Sequence, residues 1–155
     1  MGSDGACHII EVLDKLGIKH CGGGRNIAEA SAPAVVNVND KTIAFLAFCD
    51  WREETTGWCP LATKSLPGVN PMYDDYVVSE IKKYRSIYDY IVVIPHWGIE
   101  YNHWPTIHVY NTRQKMLYAG ADLILGGHTH CIQPIVNNNG KFTAFSMGNF
   151  YSQID

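Results

Sequence analysis

Two short apolar runs constrain this chain most. Tyr90-Ile91-Val92-Val93-Ile94 stops at Pro95 and passes into His96-Trp97-Gly98, and Asp122-Leu123-Ile124-Leu125 passes into Gly126-Gly127-His128-Thr129-His130. Apart from Asp122 both are apolar throughout, and both are too short for a helix, which is the pattern of a buried strand. Each follows a segment of helical character, residues 72–87 with charges on an outer face and residues 107–118 ending at Ala119-Gly120. Strands and helices that alternate in this way predict an α/β arrangement with helices packed on sheet faces.

The rest of the chain adds to this scheme. Residues 6–16 place Ile9, Ile10, Val12, Leu13 and Leu16 at mainly helical spacing, with Ser3 or Asp4 as N-cap and Gly17 as the stop. Gly22-Gly23-Gly24 reads as a loop that punctuates, followed by alanine-rich residues for one short helical turn. Residues 34–38 and 42–49 flank Asn39-Asp40-Lys41 and predict a β-hairpin whose second strand, apolar on both faces, lies inside the sheet. Residues 50–70 hold no period and read as a long surface loop, a feature that is often functional in compact domains. Residues 142–147 supply a last strand after the turn Asn137-Asn138-Asn139-Gly140. With no repeat and no linker composition, residues 1–155 read as a single domain.

Charge and cysteine usage exclude several classes. A formal net charge of -3 without a clustered Lys/Arg run offers nothing to nucleic acid. No stretch approaches the roughly 20 apolar residues of a membrane span, and no signal peptide is read at the amino terminus. The five cysteines are odd in number and lack C-x-x-C spacing, so free thiols are expected, with Cys49 a small core residue.

The chemistry concentrates on histidine. His128 and His130 are one residue apart at a strand exit, so in an extended backbone their imidazoles point to one side and can share a metal or bind neighbouring metals. His96 also follows a buried strand, and open α/β sheets place ligands beyond such strand ends. Any one of these histidines alone also reads as a satisfied polar group. Two strand ends that both break into glycine and histidine are harder to explain by packing, so His96, His128 and His130 are the expected metal ligands. Imidazole does not select among zinc, iron and manganese. His103 and His108 are weaker candidates, and His8 and His20 read as structural or exposed. Trp51, Trp58 and Trp104 are candidates for a substrate groove, whereas Trp97 reads as packed.

Four motifs carry a resemblance: His96-Trp97-Gly98-Ile99-Glu100-Tyr101, then residues 119–130 ending in Gly-Gly-His-Thr-His, then Gln133-Pro134-Ile135, then Phe145-Ser146-Met147-Gly148-Asn149-Phe150. In this order and spacing they resemble the bacterial CapA family, associated with capsule and poly-γ-glutamate synthesis and related to calcineurin-like metallophosphatases. Leu16-Gly17-Ile18-Lys19-His20 before the glycine loop, and residues 42–48, are similar to it as well, so the resemblance covers nearly the whole chain.

The resemblance implies a metallophosphatase-like layered sheet with flanking helices and a metal-dependent phosphoester hydrolysis in which His96 and His128 are catalytic. Family members begin with a strand ending in Gly-Asp and carry an Asn-Asn-His segment, and neither is found here. The expectation is therefore a domain lacking its first strands, with one half of a two-metal centre. Arg25, Glu100 and Asn149 are the candidate substrate-binding residues, against alternatives of a surface arginine, a solvated carboxylate and a turn cap. The implied ligand is an anionic polymer or phosphoester, and the implied partners are subunits of a capsule synthesis complex. An exposed sheet edge would also favour self-association. The competing reading is a non-catalytic polymer-binding or assembly component. Family members are often membrane-anchored with the domain outside the cytoplasm, and the compartment of this chain stays open.

Overall fold

A computed structural model describes residues 2–50 and 60–151. In chain order the elements are α1 (Ser3–Lys15), β1 (Gly23–Gly24), α2 (Ile27–Ala30), β2 (Ala34–Val38), β3 (Lys41–Cys49), β4 (Gly68–Val69), α3 (Asp74–Arg85), β5 (Tyr90–His96), α4 (Ile107–Ala119), β6 (Leu123–Leu125), β7 (Ile135–Asn138) and β8 (Lys141–Ala144). Trp51 and Trp58, two of the groove candidates, lie outside the described residues, as does the cysteine Cys59.

The main sheet has six strands in the order β2-β3-β5-β6-β8-β7. Its central strands β3, β5, β6 and β8 run parallel, and each edge is closed by an antiparallel hairpin partner. This is the expected α/β arrangement, consistent with a metallophosphatase-like layered fold. Both hairpins turn on two residues of positive φ: Asn39 (48°) and Asp40 (61°) in one, Asn139 (53°) and Gly140 (85°) in the other. Such turns match the right-handed twist of the strands, and Asn, Asp and Gly tolerate the left-handed region best. Lys41, expected in the turn, is the first residue of β3 and pairs with Val38.

Helices α3 and α4 cover one face of this sheet. Their Val77, Ile81, Val109 and Met116 meet Ala44, Leu46 and Phe48 of β3, Ile91 and Val93 of β5 and Ile124 of β6 in one core. The opposite face carries Ile43, Phe45 and Ala47 of β3, Ile94 of β5 and Leu123 and Leu125 of β6, all only half-buried, with Phe142 of β8 exposed. The strand β3 thus lies inside the sheet as expected, but only one of its apolar faces is fully buried.

Three local expectations are corrected. Gly23 and Gly24 form β1, which pairs with β4 inside the stretch expected to be loop. Glycine permits the close approach: a Cβ on Gly24 would lie 2.2 Å from the Ala30 nitrogen, and one on Gly68 would lie 2.1 Å from the Pro60 oxygen. Asn137 and Asn138, expected in a turn, belong to the edge strand β7, and β8 ends at Ala144 short of Met147. Neither Ser3 nor Asp4 caps α1. The N-cap is Gly2, without a side-chain hydrogen bond, and Asp4 sits in the first turn, where its charge complements the helix dipole.

Candidate metal centre

The site grows from one register. In β5 and β6, Val92 pairs with Leu123 and Val93 with Ile124 in parallel, so both strands end at the same edge of the sheet. His96, the last residue of β5, faces Gly127 in an isolated parallel bridge. The Gly127 N–H donates to the Pro95 oxygen (3.0 Å) and the Trp97 N–H to the Gly127 oxygen (3.2 Å). This places His128 against His96, with ring centroids 4.6 Å apart and planes at 52°.

Gly126 makes the junction possible. Its N–H donates to the Ala144 oxygen at 2.8 Å, and a Cβ there would lie 1.9 Å from the Phe145 oxygen. Trp97 is 1% exposed, its Nε1–H donates to that same Phe145 oxygen at 2.8 Å, and its ring stacks on Phe145. Trp97 is thus a packed residue, as expected, and it fixes the His96 end of the cleft.

The histidine loop does not follow strand alternation. His128 (φ 98°) and His130 (φ 59°) both lie in the left-handed region, which corrects the expectation of an extended backbone, although both residues still line one cleft. The two rings have separate environments. Nε2 of His128 is buried with no hydrogen-bond partner. His130 has a side chain 44% exposed, its Nδ1 is 2.8 Å from Oδ1 of Asn149, and its ring is stacked on Tyr101 at 5.8 Å and 27°. Its Nε2 lies 3.9 Å from Oε1 of Glu100.

These groups line a cleft of about 660 Å³ in which His96, Glu100, His128 and His130 face the apolar side chains of Ala47, Ile94, Leu125 and Met147. The cleft walls around His96 disfavour its charged form, and His128 and His130 add to this. Together they outweigh the opposing pull of Glu100, so the imidazole pKa lies below its ordinary value. A neutral imidazole keeps the lone pair that a metal requires.

The donors fit a metal in part. A buried, orphaned imidazole nitrogen beside a second imidazole needs a partner, and a cation supplies one. Against this, no group of three or more His, Cys, Asp or Glu side chains among the described residues is gathered closely enough to hold an ion.

The remaining candidates fall elsewhere. Arg25 does not line the cleft: its guanidinium bonds Asp14 (3.0 Å) and Glu29 (3.2 Å). His20 pairs with Asp14 at 3.1 Å, and Nε2 of His108 lies 3.7 Å from Oδ2 of the buried Asp50 behind the site. Trp104 is 69% exposed. Cys7, Cys21 and Cys131 are free thiols, as expected. Sequence reasoning gave no role to Tyr101, because nothing in period or composition signals a tyrosine at φ 58°.

Comparison with known proteins matches residues 1–154 to the family described as "Bacterial capsule synthesis protein PGA_cap". The chain is 35% identical over 130 residues to the "PGA biosynthesis protein CapA" of Bacillus subtilis (strain 168), covering 83% of this chain and 33% of that protein. It is 30% identical over 153 residues to the "Capsule biosynthesis protein CapA" of Bacillus anthracis, covering 96% of this chain and 36% of that protein. The chain thus spans about a third of the length of these curated relatives. No helix among the described residues is long and apolar enough to cross a membrane. With His96, Glu100, His128, His130 and Asn149 at one sheet edge and a family match over nearly its whole length, the chain belongs to the bacterial capsule synthesis protein family.

Proposed function

We propose that this chain is a metal-dependent phosphoesterase-like domain serving capsule or poly-γ-glutamate synthesis, with an anionic polymer or phosphoester as its ligand. One observation carries the reading: the partnerless buried Nε2 of His128, on a ring that packs against the ring of His96. His96 and His128 are the core donors, His130 joins them, and a divalent manganese, iron or zinc ion is the cofactor class that imidazole donors suit. A second ion belongs to a fuller donor set than the described residues hold.

When bound, such an ion supplies Lewis acidity toward phosphoryl oxygens and a nucleophile at neutral pH. The chain's own residues do the rest. The surroundings of His96 disfavour its charged form, which favours its use as a donor. Glu100 lines the cleft and meets substrate or His130, and the apolar wall of Ala47, Ile94 and Leu125 restricts water on one side. Arg25, tied to Asp14 and Glu29, has no part in this reading.

The test is metal analysis of the purified protein together with hydrolysis of p-nitrophenyl phosphate and its diester. Bound transition metal and a rate that falls at least about 100-fold in His128→Ala are expected, the scale of a lost metal or acid–base contribution. Protein that takes up no manganese, iron or zinc and shows no rate above buffer overturns the proposal.

The lack of a gathered three-residue donor set among the described residues favours a second reading, a non-catalytic polymer-binding or assembly component. It predicts poly-γ-glutamate affinity, or capture of capsule synthesis subunits, that survives both chelation and His128→Ala. Loss of both with chelation removes it.

A further inference from the structure

We infer that Asn149 and Tyr101 are positioning residues for His130, holding it in the Nδ1–H tautomer so that Nε2 presents its lone pair toward Glu100 in the cleft. Three contacts carry this. Oδ1 of Asn149 lies 2.8 Å from Nδ1 of His130, and an amide oxygen only accepts, so the proton of a neutral ring sits on Nδ1. The Tyr101 ring lies nearly parallel to the imidazole, 27° between planes, and sets its tilt. The remaining nitrogen, Nε2, lies 3.9 Å from Oε1 of Glu100, beyond a hydrogen bond, so Glu100 does not hold the proton there.

The backbone is arranged for this contact. Tyr101 (φ 58°) and His130 (φ 59°) are both non-glycine residues in the left-handed region, a sparsely populated conformation that persists only where the surroundings determine it. The Tyr101 N–H donates to the Thr129 oxygen at 2.8 Å, which ties the tyrosine to the loop that carries His130. Gly148 (φ 70°) turns the chain just before Asn149, and a Cβ there would press at 3.0 Å on Ile132. Two separate loops are thus bent to deliver an acceptor and an aromatic face to one exposed imidazole. Packing alone does not require this of a side chain that is 44% exposed. A ring nitrogen fixed by a partner on its other nitrogen is how proteins orient a histidine that must bind something.

The inference rests on the proposed metal site only for what Nε2 binds, since the tautomer is a property of the metal-free protein. The experiment is a long-range proton–nitrogen spectrum of protein labelled with ¹⁵N-histidine, recorded without metal at alkaline pH, where imidazole is ordinarily neutral. Wild type is expected to show His130 with a protonated Nδ1 and a bare Nε2. Asn149→Ala should move it toward the Nε2–H form, Asn149→Asp, which keeps an acceptor, should restore it, and Tyr101→Leu but not Tyr101→Phe should broaden the His130 signals. Zinc titration of the same proteins should show affinity falling about 10- to 100-fold in Asn149→Ala, the usual effect of losing a partner that orients a ligand. A wild-type His130 protonated on Nε2, or a spectrum indifferent to Asn149→Ala, overturns the assignment. Absence of zinc binding with the tautomer as stated overturns the metal reading and leaves the positioning intact.

Discussion

The His128 ring packs against His96 at 4.6 Å while its Nε2 stays buried without a hydrogen-bond partner. An unsatisfied buried polar atom costs about 1–3 kcal/mol, so in the absence of metal this position works against stability. His128→Leu should therefore leave chelated protein as stable as wild type or more stable by about 1 kcal/mol. The same variant should lose the rise in melting temperature that zinc or manganese gives wild type, because binding to the native state stabilises by mass action. Thermal melts with and without metal check both halves, and a variant that melts much lower in chelator would show that His128 serves packing alone.

Neighbouring glycines at the strand exit should respond oppositely to alanine. A Cβ on Gly126 would lie 1.9 Å from the Phe145 oxygen and 2.5 Å from Trp97 Nε1, and both obstacles are held in place, the first being backbone. Gly126→Ala should break the Trp97–Phe145 hydrogen bond and cost about 3 kcal/mol. A Cβ on Gly127 meets nothing within 4 Å, so Gly127→Ala should cost less than about 1 kcal/mol. Denaturant titrations followed by tryptophan fluorescence measure the difference, and equal losses would contradict the geometry.

The strands that build the site were legible because residues 90–94 and 123–125 are apolar whichever face they turn. The histidines were legible because both runs break at the same chemistry. The separation of His128 from His130 was not, since a Gly-Gly-His-Thr-His string does not declare two left-handed residues. Asn149 was named as a candidate, but its partner could not be, because 19 residues separate it from His130 and it takes the Ile132–Met147 bridge and the Gly148 turn to bring them together. The pairing of β1 with β4 was hidden for a related reason. Gly23 and Gly24 contribute no side-chain pattern, and their strand exists only through backbone contact with a segment some 45 residues on.

Acid should weaken the hairpin end of the sheet through Asp89. Its carboxylate accepts from the Thr42 N–H (2.9 Å), the Thr42 hydroxyl (2.8 Å) and Lys41 Nζ (3.1 Å), and these hold its pKa at about 2. A carboxyl whose folded-state pKa is depressed adds stability above its unfolded pKa, about 3.9, and loses it as pH falls toward 2. Between pH 4 and 2 the stability of wild type should fall more steeply than that of Asp89→Asn. Denaturation midpoints across that range read this directly, and parallel curves would remove Asp89 from the acid response.

The partly covered sheet face predicts self-association of the isolated chain. Parallel strands such as β3, β5 and β6 are ordinarily covered on both faces, yet here Phe45, Ile94, Leu123 and Leu125 are half-buried and Phe142 is 46% exposed. A contiguous apolar surface of this kind marks an interaction site. A second copy laid face to face is the occupant whose surface matches, since it offers the same aliphatic and aromatic side chains at the sheet-stacking distance of about 10 Å. Sedimentation velocity over a concentration series should show a dimer, and Phe142→Glu combined with Leu123→Glu should shift it to monomer, because each buried charge would lack a partner. A wild-type chain that stays monomeric at high micromolar concentration, or a dimer indifferent to the double substitution, would place the contact elsewhere.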